Sequence, residues 1–130
     1  MRILSLVTVL FVLTSCTSQK KEASIIENVT VEQFQKLINA EGAQLIDVRT
    51  TKEYSEGHLS NSRMIDFMGE NFKKEAFTKL DKDQPVFVYC AAGGRSAKAA
   101  KVYKEAGFKK VYNMLGGFRA WSAKGFKIEK

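Results

Sequence analysis

At 130 residues and a formal net charge of +7, the chain is the size of one domain with a modest core and leaves no room for a second. Its lysines are scattered, and no Lys/Arg-rich run is interleaved with aromatics, so the charge reads as a solvated basic surface and argues against nucleic acid as a partner. One histidine and two widely separated cysteines do not make a metal site.

The first segment, MRILSLVTVLFVLTSC, starts positive at Arg2, is apolar from residue 3 to 13 and ends in small residues before Cys16, the pattern of a secretory signal. Leu13-Thr14-Ser15-Cys16 resembles the bacterial lipobox, which implies that residues 1–15 are removed as a lipoprotein signal peptide and that Cys16 is acylated. An ordinary signal peptide with a chance cysteine is the alternative. The apolar run is shorter than the ~20 residues that a membrane-crossing helix needs. Residues 16–25 are then a lipidated cysteine and polar tether, and the domain occupies 26–130. This predicts a protein of the bacterial cell envelope, anchored to a membrane through its N-terminal lipid, with Cys90 as its one free thiol.

From Ile25 onward, strand and helix patterns alternate. Thr30 and Gln33 form a capping box ahead of Val31, Phe34, Leu37 and Ile38, which share one helical face, and Gly42 ends that helix. Residues 43–48 read as a buried strand, and 51–56 as a helical turn closed by Gly57. A weaker strand at 63–67 precedes a helix over 70–80 that carries Phe72 and Phe77. The only proline, Pro85, opens a strand over 85–89, where its missing N–H is tolerated. A helix over 96–106 follows, with Ala99, Val102, Tyr103 and Ala106 on one face and Lys98, Lys101 and Lys104 outside it. Residues 110–112 give one more strand, and Gly116-Gly117 turns into a last helix holding Phe118 and Trp121. Such alternation predicts an α/β fold: a central, mostly parallel sheet flanked by helices on both faces.

Between the 85–89 strand and its helix lies Cys90-Ala91-Ala92-Gly93-Gly94-Arg95-Ser96. A helix N-terminus leaves amide N–H groups unpaired and stabilises an anion, which lowers the pKa of a cysteine placed against it. Gly93 and Gly94 permit the φ > 0 conformations that aim several amides at one point. Arg95 adds a fixed charge, and Ser96 is the expected cap. A free cysteine is often just a small core hydrophobe, but Cys90 sits past the carboxyl end of a strand, where open α/β sheets bind ligands. It is the candidate nucleophile.

Three segments carry a family resemblance: LIDVRTTKEYSEGHL (45–59), VFVYCAAGGRSAKAA (86–100) and LGGFRAW (115–121) resemble, in order and spacing, the signatures of the single-domain rhodanese family. The resemblance covers essentially all of residues 26–127. It implies a rhodanese-like domain and a thiosulfate sulfurtransferase type of activity without a cofactor, with Cys90 as the catalytic persulfide carrier. By the same match, the substrate-binding loop comprises Ala91, Ala92, Gly93, Gly94 and Arg95, with Ser96 at its helical end. The implied partners are a small anionic sulfur donor, which Arg95 would orient, and a thiol or cyanide acceptor. The sequence departs from the family where Ser60-Asn61-Ser62 replaces a frequent Pro-Gly-Ala.

Other residues read as framework. Asp47, Arg49 and Glu53 form a structural set in which Glu53 lies within ion-pair reach of Arg49 across a helical turn. His58 supports the fold, Gly116-Gly117 is a turn and Trp121 a core anchor. Two rival functions stand beside sulfur transfer. A non-catalytic rhodanese-like module could bind a partner or present sulfur. A cysteine phosphatase or arsenate reductase would share the loop and arginine, but such loops place five residues between Cys and Arg, whereas four separate Cys90 from Arg95.

Overall fold

A computed structural model describes residues 25–130. The signal segment, Cys16 and the tether up to residue 24 lie outside the described residues. Twelve elements follow in chain order: β1 (Ile25–Val29), α1 (Val31–Leu37), β2 (Gln44–Asp47), α2 (Thr51–Glu56), β3 (His58–Leu59), β4 (Arg63–Met64), α3 (Phe72–Lys79), β5 (Val86–Tyr89), α4 (Gly94–Glu105), β6 (Lys110–Met114), α5 (Gly117–Ala123) and β7 (Ile128–Glu129). Five strands form one sheet in the order β1-β6-β5-β2-β4, with every neighbouring pair parallel. β3 and β7 pair separately as a short antiparallel ladder.

Side chains alternate along each strand, and this alternation divides the core in two. Val86, Val88 and Cys90 face α3 and α4, packing with Phe72, Ala76, Ala99, Ala100 and Tyr103. Phe87 and Tyr89 face α1 and α5, packing with Val31, Phe34, Met114 and Trp121. Helices therefore cover both faces of a parallel sheet, as the alternating pattern requires. Every residue of β5 is buried, which suits its central position.

Local rules account for several boundaries. The Thr30 hydroxyl accepts from the Gln33 amide at 3.2 Å and the Gln33 side chain accepts from the Thr30 amide at 2.9 Å, completing the α1 capping box. α2 carries a second box of the same kind between Thr50 and Glu53. In α4, Ala99 and Tyr103 are buried while Lys98, Lys101 and Lys104 are exposed, as the spacing predicts.

Three expectations are corrected. The strand at 63–67 shortens to Arg63–Met64, because Ile65 and Phe67 instead donate amide hydrogen bonds to the Asp47 and Val48 carbonyls as the chain bends over the end of β2. β6 runs on to Met114, two residues past the expected end, since β1 pairs with it in parallel register as far as Val29. Ser96 is not a cap: Gly93, at φ 109°, is the N-cap residue, so α4 begins at Gly94 and Ser96 lies inside its first turn.

At Ser60-Asn61-Ser62, Asn61 takes a left-handed conformation (φ 62°), which asparagine tolerates better than most residues, and Ser62 closes the turn by donating to the Leu59 carbonyl at 2.7 Å. The sequence thus supplies its own solution where the family pattern is broken. Among the described residues, no helix is long and apolar enough to cross a membrane.

Candidate active site

β5 delivers Cys90 to the edge of the sheet, and the strand's alternation turns its side chain toward α3 and α4, leaving the residue 1% exposed. Cys90 is therefore both a core residue and the first residue of the loop. The Gly93 amide donates to Sγ at 3.0 Å, and the Ser96 and Ala92 amides also favour the charged form of the sulfur. Burial alone would push the thiol up, but these amides and the Ser96 hydroxyl together outweigh it and hold Cys90 below the ordinary thiol range. The Ser96 hydroxyl also reaches the Gly93 carbonyl at 3.2 Å, and its single proton serves one acceptor at a time.

The loop is braced from beneath by α5. Phe118 and Arg119 donate their amides to the Cys90 and Ala91 carbonyls at 2.7 and 3.0 Å. The approach is close enough that a Cβ on Gly117, itself at φ +58°, would lie 2.5 Å from the Cys90 carbonyl oxygen. The sequence marked Gly116-Gly117 only as a turn; its second role depends on contact with a loop distant in sequence.

Asp47 and Arg49 form a buried framework. Arg49 Nη2 lies 2.7 Å from Asp47 Oδ2 and donates to the Gly57 carbonyl at 2.6 Å. Its guanidinium stacks 4.2 Å from the centre of the Phe118 ring, linking the end of β2 to α5 and so to the underside of the loop. The expected Arg49–Glu53 pair is not what forms. Glu53 instead receives Arg95 in a two-point ion pair, Nη1 to Oε2 and Nη2 to Oε1, both at 2.7 Å. The capping box explains why: Glu53 Oε2 also accepts the Thr50 amide and hydroxyl at 3.0 Å, which turns the carboxylate back over the start of α2. Arg95 holds the Glu53 carboxyl down to about 2 against the burial that opposes ionisation. Arg95 is raised in turn, chiefly by Glu53 and against desolvation, with Cys90 and Asp66 contributing.

His58 stacks on Tyr54 with ring centres 3.8 Å apart, and its Nδ1 lies 3.0 Å from the Tyr54 carbonyl oxygen. Both contacts support the turn that leads into β3, in line with a framework role. Trp121 is buried and its indole N–H donates to the Lys127 carbonyl at 3.0 Å. Among the described residues, no cluster of histidine, cysteine and acidic side chains could hold a metal. The cleft lined by Ile38, Leu59, Ser60, Trp121 and Phe126 shares no residue with the Cys90 loop.

A buried cysteine that accepts the Gly93 amide, where the central strand of a parallel sheet turns into a helix, marks an α/β domain with a glycine-rich loop at the sheet's edge. The chain belongs to the rhodanese-like domain family, which matches residues 30–124. It is 32% identical over 114 residues to the uncharacterized protein YqhL of Bacillus subtilis, covering 88% of this chain and 86% of that protein. It is 35% identical over 95 residues to the thiosulfate sulfurtransferase GlpE of Pseudomonas paraeruginosa, covering 73% of this chain and 83% of the relative. Among solved structures, a rhodanese-like domain protein of Staphylococcus aureus superposes with a TM-score of 0.65 at 28% identity, over 80% of this chain and 99% of that one.

Proposed function

We propose that the domain is a sulfurtransferase in which Cys90 carries the sulfur. The carrying observation is the Gly93 amide donating to Cys90 Sγ at 3.0 Å where the central strand turns into α4, which favours a thiolate in a buried place that would otherwise disfavour one. The thiolate attacks the outer sulfur of thiosulfate or a related donor. An Sγ–S bond forms, the donor's S–S bond breaks, and sulfite leaves with the electron pair, so no outside oxidant is involved. The loop amides then hold the persulfide anion until a thiol or cyanide attacks its outer sulfur and restores the Cys90 thiolate. The similarity to a protein named thiosulfate sulfurtransferase supports this reading at the level of reaction class.

A phosphatase or arsenate reductase is disfavoured, because four residues rather than five separate Cys90 from Arg95 and Glu53 already offsets the charge of that arginine. The test is intact-mass measurement of the domain after incubation with thiosulfate, together with cyanide-dependent thiocyanate release. One added sulfur on Cys90 is expected, and Cys90→Ser should lose both the adduct and the turnover. Full turnover by Cys90→Ser overturns the assignment, and a domain that accepts sulfur from no donor points to the non-catalytic module instead.

A further inference from the structure

The active-site loop contains one charged side chain, and that charge is already met. Arg95 and Glu53 are joined at two points, and their side chains are 25% and 30% exposed, so the pair borders solvent on the same loop that holds Cys90. Asp66 adds a second carboxylate close enough to act on Arg95. Glu53 is held in place independently of Arg95 by the Thr50 amide and hydroxyl, so the carboxylate stands at its post whether or not a donor arrives. A dianion entering this site finds backbone amides but no unopposed positive side chain from the loop. It must also approach a thiolate, and like charges repel most where water is scarce.

On the sulfurtransferase reading, we propose that Glu53 sets donor selectivity: by neutralising Arg95 it makes the Cys90 site favour organic persulfides of low charge over dianionic thiosulfate. The step is balanced. The Cys90 thiolate attacks the terminal sulfur of R–S–SH, the Sγ–S bond forms, the donor's S–S bond breaks, and R–S⁻ departs with the pair. The transferred sulfur keeps its oxidation level.

Glu53→Gln tests this without removing the helix cap, because Gln33 makes the same capping box in α1 of this chain. The variant leaves Arg95 unopposed. Its kcat/KM for thiosulfate should rise about fivefold, while that for 2-hydroxyethyl persulfide stays within about twofold. The ratio of Cys90 alkylation by anionic iodoacetate to that by neutral iodoacetamide should rise in parallel, and Arg95→Ala should lower it below wild type. A misfolded variant cannot gain activity toward one donor, so the rise separates selectivity from damage. An unchanged or lower thiosulfate rate and alkylation ratio in Glu53→Gln overturns the proposal. A variant that does not fold leaves the decision to the wild-type domain: relative to the same donors' rates with a free thiol, it must prefer the persulfide, and a preference for thiosulfate overturns the proposal. If no donor loads Cys90, the sulfurtransferase reading fails by itself, while the alkylation ratio still decides what Glu53 does to the charge of the site.

Discussion

Arg49 is 3% exposed and beside it Asp47 is fully buried, so each charge is tolerable only because of the other. Removing one partner of a buried pair strands the remaining charge away from water, which costs about 3–5 kcal/mol, whereas neutralising both is often close to free. Arg49→Met should therefore destabilise the domain by that amount in urea denaturation. Asp47→Asn added to Arg49→Met should recover a large part of the loss, because asparagine still offers an oxygen to the backbone amide of residue 49, now accepted by Asp47 at 3.0 Å. A loss below about 1 kcal/mol in the single variant, or a double variant no better than the single, would show that shape rather than charge matters there. The guanidinium also touches Phe118, whose amide holds the Cys90 carbonyl, so the single variant should also loosen the loop and slow Cys90 alkylation.

Between elements, the contact that shapes the site most directly is the seating of α5 against the active-site loop. Gly117→Ala would combine a left-handed backbone with carbon and oxygen atoms of residues 90 and 91 at 2.5–2.7 Å from the new Cβ. Backbone atoms cannot turn aside as a flexible side chain can. A loss of about 2–3 kcal/mol in thermal or urea unfolding is expected, together with a shift of Cys90 reactivity toward higher pH as the amides move away from the sulfur. Gly94→Ala is the matched control: it has no positive φ and nothing within 4 Å of its Cβ position, so it should be neutral or stabilise by about 0.4–1 kcal/mol. Equal effects from both substitutions would remove the close approach as an explanation. Elements whose causes are local were legible in sequence: the α1 box, the α4 apolar face and the strand that ends at Cys90. β3 and β7 were not, since two-residue strands have no alternation to read and exist only by pairing His58 with Glu129 and Leu59 with Ile128. Arg95 and Glu53 are 42 positions apart, and the i,i+4 rule pointed Glu53 at Arg49 instead. The missed clue was Thr50-x-x-Glu53, a capping box that fixes where the carboxylate points.

For the molecule as a whole, patterning predicts a sheet covered by helices on both faces but not which strand lies beside which; the order β1-β6-β5-β2-β4 is set by crossovers that leave no mark in any one segment. Membrane attachment concerns the whole protein too, and we propose it from Leu13-Thr14-Ser15-Cys16 and the polar stretch TSQKKEAS that continues from residue 17. Acylation of Cys16 with a diacylglyceryl group would provide two chains, and two are what durable anchoring takes, whereas one gives only reversible binding. The net positive charge adds attraction to anionic head groups, but this weakens as salt shortens the Debye length to about 3 Å at 1 M. The two contributions separate in one experiment. Expressed with its native leader, the protein should sediment with membranes, stay there through a wash in about 1 M salt and incorporate labelled palmitate. Cys16→Ala should lose the label and be released by the same wash. A wild-type protein that is unlabelled and washes off would reduce the attachment to surface charge, and the chemistry argued for Cys90 would stand unchanged.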